Sequence, residues 1–478
     1  MTLAAIEPNT ILCGDVLEQL ALLPAESVNT CVTSPPYWGL RDYGEAGQIG
    51  LEATPEEYVA KLVAVFREVR RVLRADATLW LNLGDSYASG GRKTRDPGKS
   101  KIHSASHSSN AGRPDTPPGL KPKDLVGIPW RVAFALQQPY YTGNIKDEKE
   151  RIWLAAMMDG EGTFTILSTT SPHGSGNSYP PIAQIRMTSE AAIKKAATLV
   201  GVASPAQYPP SLRGKRAVYQ WRLAGVRAAS VAQELYPYLI VKRLQALVAW
   251  NHQQIRDGYE TKRGVTIPQE ALDKQLVCRD LIRRLNRDET VIIPSWMKEP
   301  PSLYEPGYYL RSDVIWSKPN PMPESVTDRP TKAHEYIFLL SKSQTYYYDH
   351  EAIKEPAQDW GTRDRSNFRN GTEDPLLKHH GFTNGNQAET GRNKRTVWHV
   401  ATQPYSEAHF ATFPEELIKP CILAGAPEGG LVLDPFFGSG TTGLVSAKAG
   451  RGYIGIELNP KYVAMAERRL APFRVRLL

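Results

Sequence analysis

Two stretches of the chain combine residue types and spacings that suit chemistry. In "LVLDPFFGSGTTGLVSAKAG" an apolar strand-like run ends in Asp434, a turn carries Gly438 and Gly440, and Thr441 and Thr442 open a helix. Glycines let a backbone approach a ligand closely, and a helix N-terminus offers unpaired N–H groups to an anion. A second strand-like run, "RGYIGIELNP", ends in Glu457, about twenty residues beyond the turn, where a carboxylate accepts from both hydroxyls of a ribose. A glycine turn alone is often only a tight strand–helix connection; together with the acid it predicts a site for a nucleoside-bearing molecule. The turn is neither GxGxxG nor a Walker A sequence, which counts against NAD and ATP. The second stretch is Thr33-Ser34-Pro35-Pro36-Tyr37, followed by Trp38. Prolines hold φ and lack an N–H, so this corner presents carbonyls and a hydroxyl rigidly beside aromatic rings.

Taken together, TSPPY and DPFFGSGTT resemble the amino-methyltransferases of DNA, the N4-cytosine and N6-adenine enzymes that use S-adenosylmethionine. The resemblance covers nearly all of 1–138 and 307–478, with the catalytic motif ahead of the cofactor motif, as in the permuted beta group. It implies an α/β, Rossmann-like methyltransferase sheet acting on double-stranded DNA. An exocyclic base amine is a poor nucleophile because its lone pair is delocalised into the ring. Acceptors aimed at its hydrogens favour a pyramidal, reactive geometry and stabilise the charge developing on nitrogen. By resemblance Ser34 and the Pro35 carbonyl are those acceptors, Pro36 stiffens the corner, and Tyr37, helped by Trp38, stacks on a base flipped out of the duplex. Family members with Ser-Pro-Pro-Tyr are mostly cytosine-N4 enzymes, which favours cytosine; adenine N6 stays open, because a hydroxyl and a carboxylate are both workable acceptors.

The same resemblance assigns the cofactor to Asp15 of "ILCGDVL", Asp434, Phe436, Phe437, Gly438, Ser439, Gly440, Thr441 and Glu457. Asp15 reads equally well as an ordinary turn residue. "HFATFPEELIKPCILAGA" resembles the helix over the methionine half, with Pro414 suited to its first position. Lys318, in the segment flanking the base pocket, is a candidate DNA contact. So are Arg363, Arg365, Arg369 and Arg392 in the polar region of about 344–396, where target recognition is expected; 397–478 then hold the cofactor part.

Elements that could position these residues are legible on both sides. "TILCGDVLEQLALLPAESVNTCVT" reads strand, helix, strand, and "PEEYVAKLVAVFREVRRVLRADATLWLNL" reads helix then strand, which is α/β grammar. The chain has 478 residues, enough for two or three compact units, and a net charge of +8 that favours a polyanionic partner. Its four cysteines lie far apart with no CxxC, against zinc and disulfides and for a reducing cytoplasm. No stretch reads as a signal peptide or a membrane span. Residues 88–122 are rich in Gly, Ser, Pro and Lys and read as a basic loop.

Between the two halves lies about one domain's worth of residues, 139–306. Its "LAAMMDGEG" resembles the LAGLIDADG signature of homing endonucleases, which implies an inserted α+β domain. Small residues Ala155, Ala156 and Gly160 would let a second such helix approach closely, and Lys242 matches a recurrent lysine of that scaffold. In that family the second acid, here Glu161, binds a divalent metal such as Mg2+ at the scissile phosphate. A buried Ala/Met helix ending in an acid-capped turn is also common in ordinary cores. With one motif copy, cleavage would need a homodimer through the insert, so the reading favours a permanent DNA-contacting module. A bifunctional methyltransferase and endonuclease is the alternative.

Overall fold

The computed structural model describes residues 7–39, 44–45, 47–88, 116, 119–167, 169–170, 177–210, 217–259, 267–321, 323–356, 391–403 and 413–474. The chain forms two compact units, one of 1–138 with 307–478 and one of 139–306.

The first unit is built on strands β1 (Thr10–Cys13), β2 (Val28–Thr33), β3 (Leu73–Leu83), β4 (Tyr309–Ser317), β5 (His334–Ser341), β6 (Val397–His399), β7 (Leu431–Asp434) and β8 (Gly452–Glu457). Its helices are α1 (Val16–Ala21), α2 (Pro55–Val72), α3 (Ile128–Gln137), α4 (Glu415–Gly425), α5 (Thr441–Lys448) and α6 (Pro460–Arg474). The sheet order is β1-β8-β7-β2-β3-β5-β4-β6. From β1 to β3 all neighbours run parallel. β5 is antiparallel to β3 and to β4, and β6 runs parallel to β4.

Helices cover both faces. Along β2, Cys31 packs with α1, α2 and α3, whereas Val32 packs with α4. This alternation explains why the central strands are apolar at nearly every position. Helix α2 starts where Thr54 Oγ1 accepts from Glu57 N at 3.2 Å with Pro55 in the first turn. Tyr58, Leu62, Val65, Phe66 and Val69 then form its buried stripe at helical spacing. Arg71 returns to donate to Leu20 O (2.7 Å) and Leu23 O (2.9 Å), tying α2 to the carbonyls at and just beyond the end of α1.

The connection β2–α2–β3 leaves in one direction along the sheet and β7–α5–β8 in the other. β2 and β7 are therefore the adjacent strands at which the order reverses, with Val432 opposite Thr30 and Leu433 opposite Cys31. In doubly wound sheets a crevice opens beyond the carboxyl ends of such a pair. Both chemical stretches, Thr33–Tyr37 and Asp434–Thr442, begin there.

The second unit is α+β. Helix Glu148–Glu161 leads into a four-stranded antiparallel sheet ordered 162–166, 181–187, 218–224, 206–208, with further helices at 190–199, 226–235, 243–257 and 269–285. It has its own core around Leu154, Met158, Phe164, Ile185 and Trp221. Among the described residues no helix of either unit is long and apolar enough to cross a membrane.

Candidate active site

The glycine turn depends on its glycines for two different reasons. Gly438 (φ +51°) and Gly440 (φ +80°) take the left-handed backbone that favours glycine. A Cβ at Gly440 would press on Ala466 of α6 at 3.0 Å, whereas nothing lies within 4 Å of one at Gly438. The space over Gly438 is thus open to a ligand. Glu457, at the end of β8, accepts from Gly438 N at 2.8 Å and Asn459 N at 2.9 Å. Burial raises its pKa against the pull of those amides. Each of its oxygens keeps a second lone pair for a hydroxyl donor. Gly14 N donates to Glu457 O at 3.0 Å, which draws the β1–α1 turn to the same place. Asp15 in that turn caps α1, its Oδ1 accepting from Leu17 N (2.9 Å) and Glu18 N (3.2 Å). A nucleoside fits this set: an approachable glycine backbone, a carboxylate at its edge, and a second carboxylate beside it.

Several residues read from sequence as cofactor contacts are instead interior. Asp434 is 1% exposed. Its Oδ1 accepts from Thr33 Oγ1 (2.6 Å) and Phe436 N (3.0 Å), and its Oδ2 from Thr442 Oγ1 (2.6 Å). Burial lifts its pKa to about 6 against these hydrogen bonds. Asp434 is therefore a clamp that ties the end of β2 to the glycine turn. Phe437 is buried, stacked on Tyr453 at 5.8 Å and seated on Gly455 and Gly443. Ser439 and Thr441 are also buried, and Arg469 donates to their hydroxyls at 3.3 and 2.9 Å. The physical reason is common to all four: they end or follow a central strand covered on both faces, so their side chains shape the turn from beneath. Phe436 is half-buried, edge-on to Phe66 at 6.4 Å. Pro414 precedes the first helical residue of α4 and caps it, one position earlier than expected.

At the diproline corner Pro35 is buried and the Pro36 carbonyl accepts from Tyr58 Oη at 2.7 Å. Among the described residues no donor reaches the Pro35 carbonyl. Trp38, expected beside the base, is instead 6% exposed and donates through Nε1 to Glu52 O at 2.9 Å, anchoring the corner in the core. The Tyr37 ring is half-buried and lies against Gly84, where a Cβ would come within 2.5 Å of it. Its hydroxyl donates to Glu335 Oε2 at 2.6 Å and accepts from Asn82 Nδ2 at 2.9 Å. Asn82 Nδ2 also reaches Glu335 Oε2 (3.1 Å) and Ser34 Oγ (3.3 Å), and Ser34 Oγ donates to Tyr37 Oη at 3.4 Å. Burial first, and Glu335 beside it, hold the Tyr37 phenol well above its ordinary range, so it stays a donor.

Lys318 ends in this cluster. Its Nζ pairs with Glu335 Oε1 and lies 4.3 Å from the centre of the Trp316 ring. Lys332, whose pKa burial lowers, donates to Asp85 O at 2.9 Å. Sequence reasoning missed Asn82 and Glu335. The available signal was a polar residue inside each of the apolar runs "LWLNL" and "HEYIFLL", because a buried polar group must find a partner. Arg392 pairs with Glu355 at 3.2 Å, while Arg363, Arg365 and Arg369 lie outside the described residues.

In the second unit the acids of the "DGEG" turn part ways. Asp159 accepts from Ile240 N and Lys242 N, both at 2.8 Å, and Lys242 Nζ caps the helix by donating to Met158 O and Asp159 O. Glu161 is exposed. Of the small residues Ala155 is core, while Ala156 and Gly160 are exposed. Among the described residues no group of three His, Cys, Asp or Glu is placed to hold a metal.

The family model of the N6/N4 DNA methylases matches residues 28–169 and 285–468. A type II methyltransferase, M.Cfr9I of Citrobacter freundii, is 34% identical over 461 residues, covering 96% of this chain and 87% of that one. M.SmaI of Serratia marcescens, also a type II methyltransferase, is 33% identical, with 96% and 90% covered. Among solved structures a cytosine-N4-specific PvuII DNA methyltransferase aligns over 99% of this chain and 93% of its own, with 14% identity and a TM-score of 0.40.

Proposed function

The chain belongs to the N6/N4 DNA methylase family, and from that premise we propose that it is a type II modification enzyme. It methylates the exocyclic N4 amine of cytosine at a specific site in duplex DNA, with S-adenosylmethionine as donor. The observation that carries this reading is the 2.6 Å bond from Thr33 Oγ1 to Asp434 Oδ1, which holds the Ser34–Tyr37 corner beside the open turn at Gly438.

When bound, the sulfonium cofactor supplies the methyl group. Everything else is the work of the chain. Glu457 and the second oxygen of Asp15 would accept from the nucleoside half, and the open backbone at Gly438 would give it room to approach. Ser34 Oγ and the Pro35 carbonyl accept the two amine hydrogens, which orients the nitrogen lone pair and stabilises the positive charge it acquires. The half-buried Tyr37 ring packs on the everted base. The serine hydroxyl at position 34, where adenine enzymes of the family mostly carry an acid, supports cytosine over adenine.

The test is incubation with duplex DNA and methyl-labelled donor, followed by digestion to nucleosides. N4-methylcytosine is the expected product; N6-methyladenine would move the reading to adenine, and unlabelled DNA would end it. The inserted unit is read as an added DNA-holding module of LAGLIDADG type. Cleavage with Mg2+ and no methyl donor, lost in Glu161→Ala, would replace this with the nuclease reading.

A further inference from the structure

Donor direction can be traced atom by atom through the cluster beneath the diproline corner. A serine hydroxyl has one proton and two lone pairs. The Ser34 proton is directed at Tyr37 Oη, and one lone pair takes Asn82 Nδ2. The Tyr37 proton goes to Glu335 Oε2, and its lone pairs take Asn82 and Ser34. Within this cluster Glu335 is the group that accepts without donating. Its second oxygen is held by Lys318, and the pair is only 13% and 19% exposed. The two Asn82 Nδ2 protons are shared among Tyr37 at 2.9 Å, Glu335 at 3.1 Å and Ser34 at 3.3 Å, so Ser34 is left with at least one uncommitted lone pair, at the oxygen where the amine must bind.

We infer that Glu335 is a positioning residue for methyl transfer: its carboxylate orders the donor chain through Tyr37 and Asn82 so that Ser34 presents a lone pair, and never its proton, to the target amine. This inference rests on the function proposed above. An acceptor at the end of a hydrogen-bonded chain polarises every member, so the Ser34 oxygen becomes a stronger acceptor as well as a correctly turned one. Lys318 is then the countercharge paired with the Glu335 carboxylate at low exposure, which accounts for a cation at that position without any contact to DNA. A neutral amide at 335 would keep the shape but lose the charge, and its NH2 could face Tyr37 and reverse the chain. Ser34 would then direct its proton at the amine, where it would no longer accept an amine hydrogen and would compete for the lone pair that must take the methyl group.

The experiment is a cycle of Glu335→Gln, Tyr37→Phe and the double variant, measured by transfer from labelled donor to duplex DNA, with donor binding followed by calorimetry. Each single variant is expected to lower kcat by about 10- to 100-fold, the range of a lost charge-assisted hydrogen bond. KM for DNA and Kd for the donor should stay within about 2-fold. The double variant should be no slower than the worse single, because both cut one chain. Independent, multiplicative losses would overturn the inference, and so would a Glu335→Gln enzyme with wild-type kcat. Intact donor binding separates a folded variant from a misfolded one; if Glu335→Gln fails to bind donor, Glu335→Asp, which keeps the charge, must restore binding and part of kcat or the inference falls. A wild-type protein that binds donor and labels no DNA would count against the proposed function itself, a result distinct from any of these.

Discussion

Ser34 is a poor base and a weak nucleophile, so its value lies in geometry, and geometry is what its neighbours supply. Ser34→Ala or Tyr37→Ala is expected to slow methyl transfer roughly 100-fold or more, in the range of lost oxyanion-type contacts. Donor affinity should change little, because neither side chain belongs to the glycine turn; equilibrium binding and single-turnover transfer read the two separately. Asp434 gives a second prediction at this scale. Its pKa is raised from 3.8 to about 6 by burial. The folded protein therefore holds this proton more tightly than the unfolded chain, and the stability so gained is whole below pH about 4 and lost as pH rises through about 6. Denaturant unfolding across pH 4 to 7 should show that decline in the wild type, by roughly 1–3 kcal/mol, and not in Asp434→Asn. The aspartate was legible in the sequence; its role as a clamp was not, because its burial and its bond from Thr33 join segments 401 residues apart in the chain.

At the scale of elements, the pair β7 and β8 sets the turn. Phe437 reaches under it and lies flat on Gly455, where a Cβ would come within 2.3 Å of the ring. Gly455→Ala is expected to destabilise the unit by about 1–3 kcal/mol through overpacking. It should also weaken donor binding, since Phe437 cannot shift without moving Gly438. Thermal unfolding and calorimetry check the two effects, and unchanged donor affinity would show that the turn is braced from elsewhere. The double phenylalanine shows where sequence reading stops. Two adjacent aromatics after a strand look equivalent, yet a turn sends one into the core and leaves the other half-buried. Trp38 followed the same logic, its indole drawn inward to the Glu52 carbonyl.

At the scale of the whole molecule, the ends of the 139–306 unit leave side by side. Tyr140 pairs with Glu305 and Tyr141 with Tyr304, while in the other unit Tyr308 N donates to Leu136 O at 2.8 Å. Gly307 is so close to Gln137 that a Cβ would lie 2.2 Å from its carbonyl oxygen. Joining Gln138 directly to Gly307 is therefore expected to leave a folded protein that still transfers methyl groups. If the insert holds DNA, that deletion will weaken binding and flatten its salt dependence, because fewer phosphate contacts release fewer counterions. Affinity measured across salt concentrations decides this, and an unfolded deletion protein would contradict the independence of the two units.

The α/β alternation, the glycine turn with its downstream acid, the stiff diproline corner and the foreign stretch between the halves were all readable along the chain, because each is a local pattern of period, turn chemistry or composition. Only the tertiary structure decided that β2 and β7 lie next to each other, that Asp434, Phe437, Ser439 and Thr441 face inward, and that Glu335, Asn82 and Lys318 converge beneath Ser34 and Tyr37. Strand neighbours and buried polar partners are set by which distant segments meet across a sheet, and sequence spacing carries no measure of that distance.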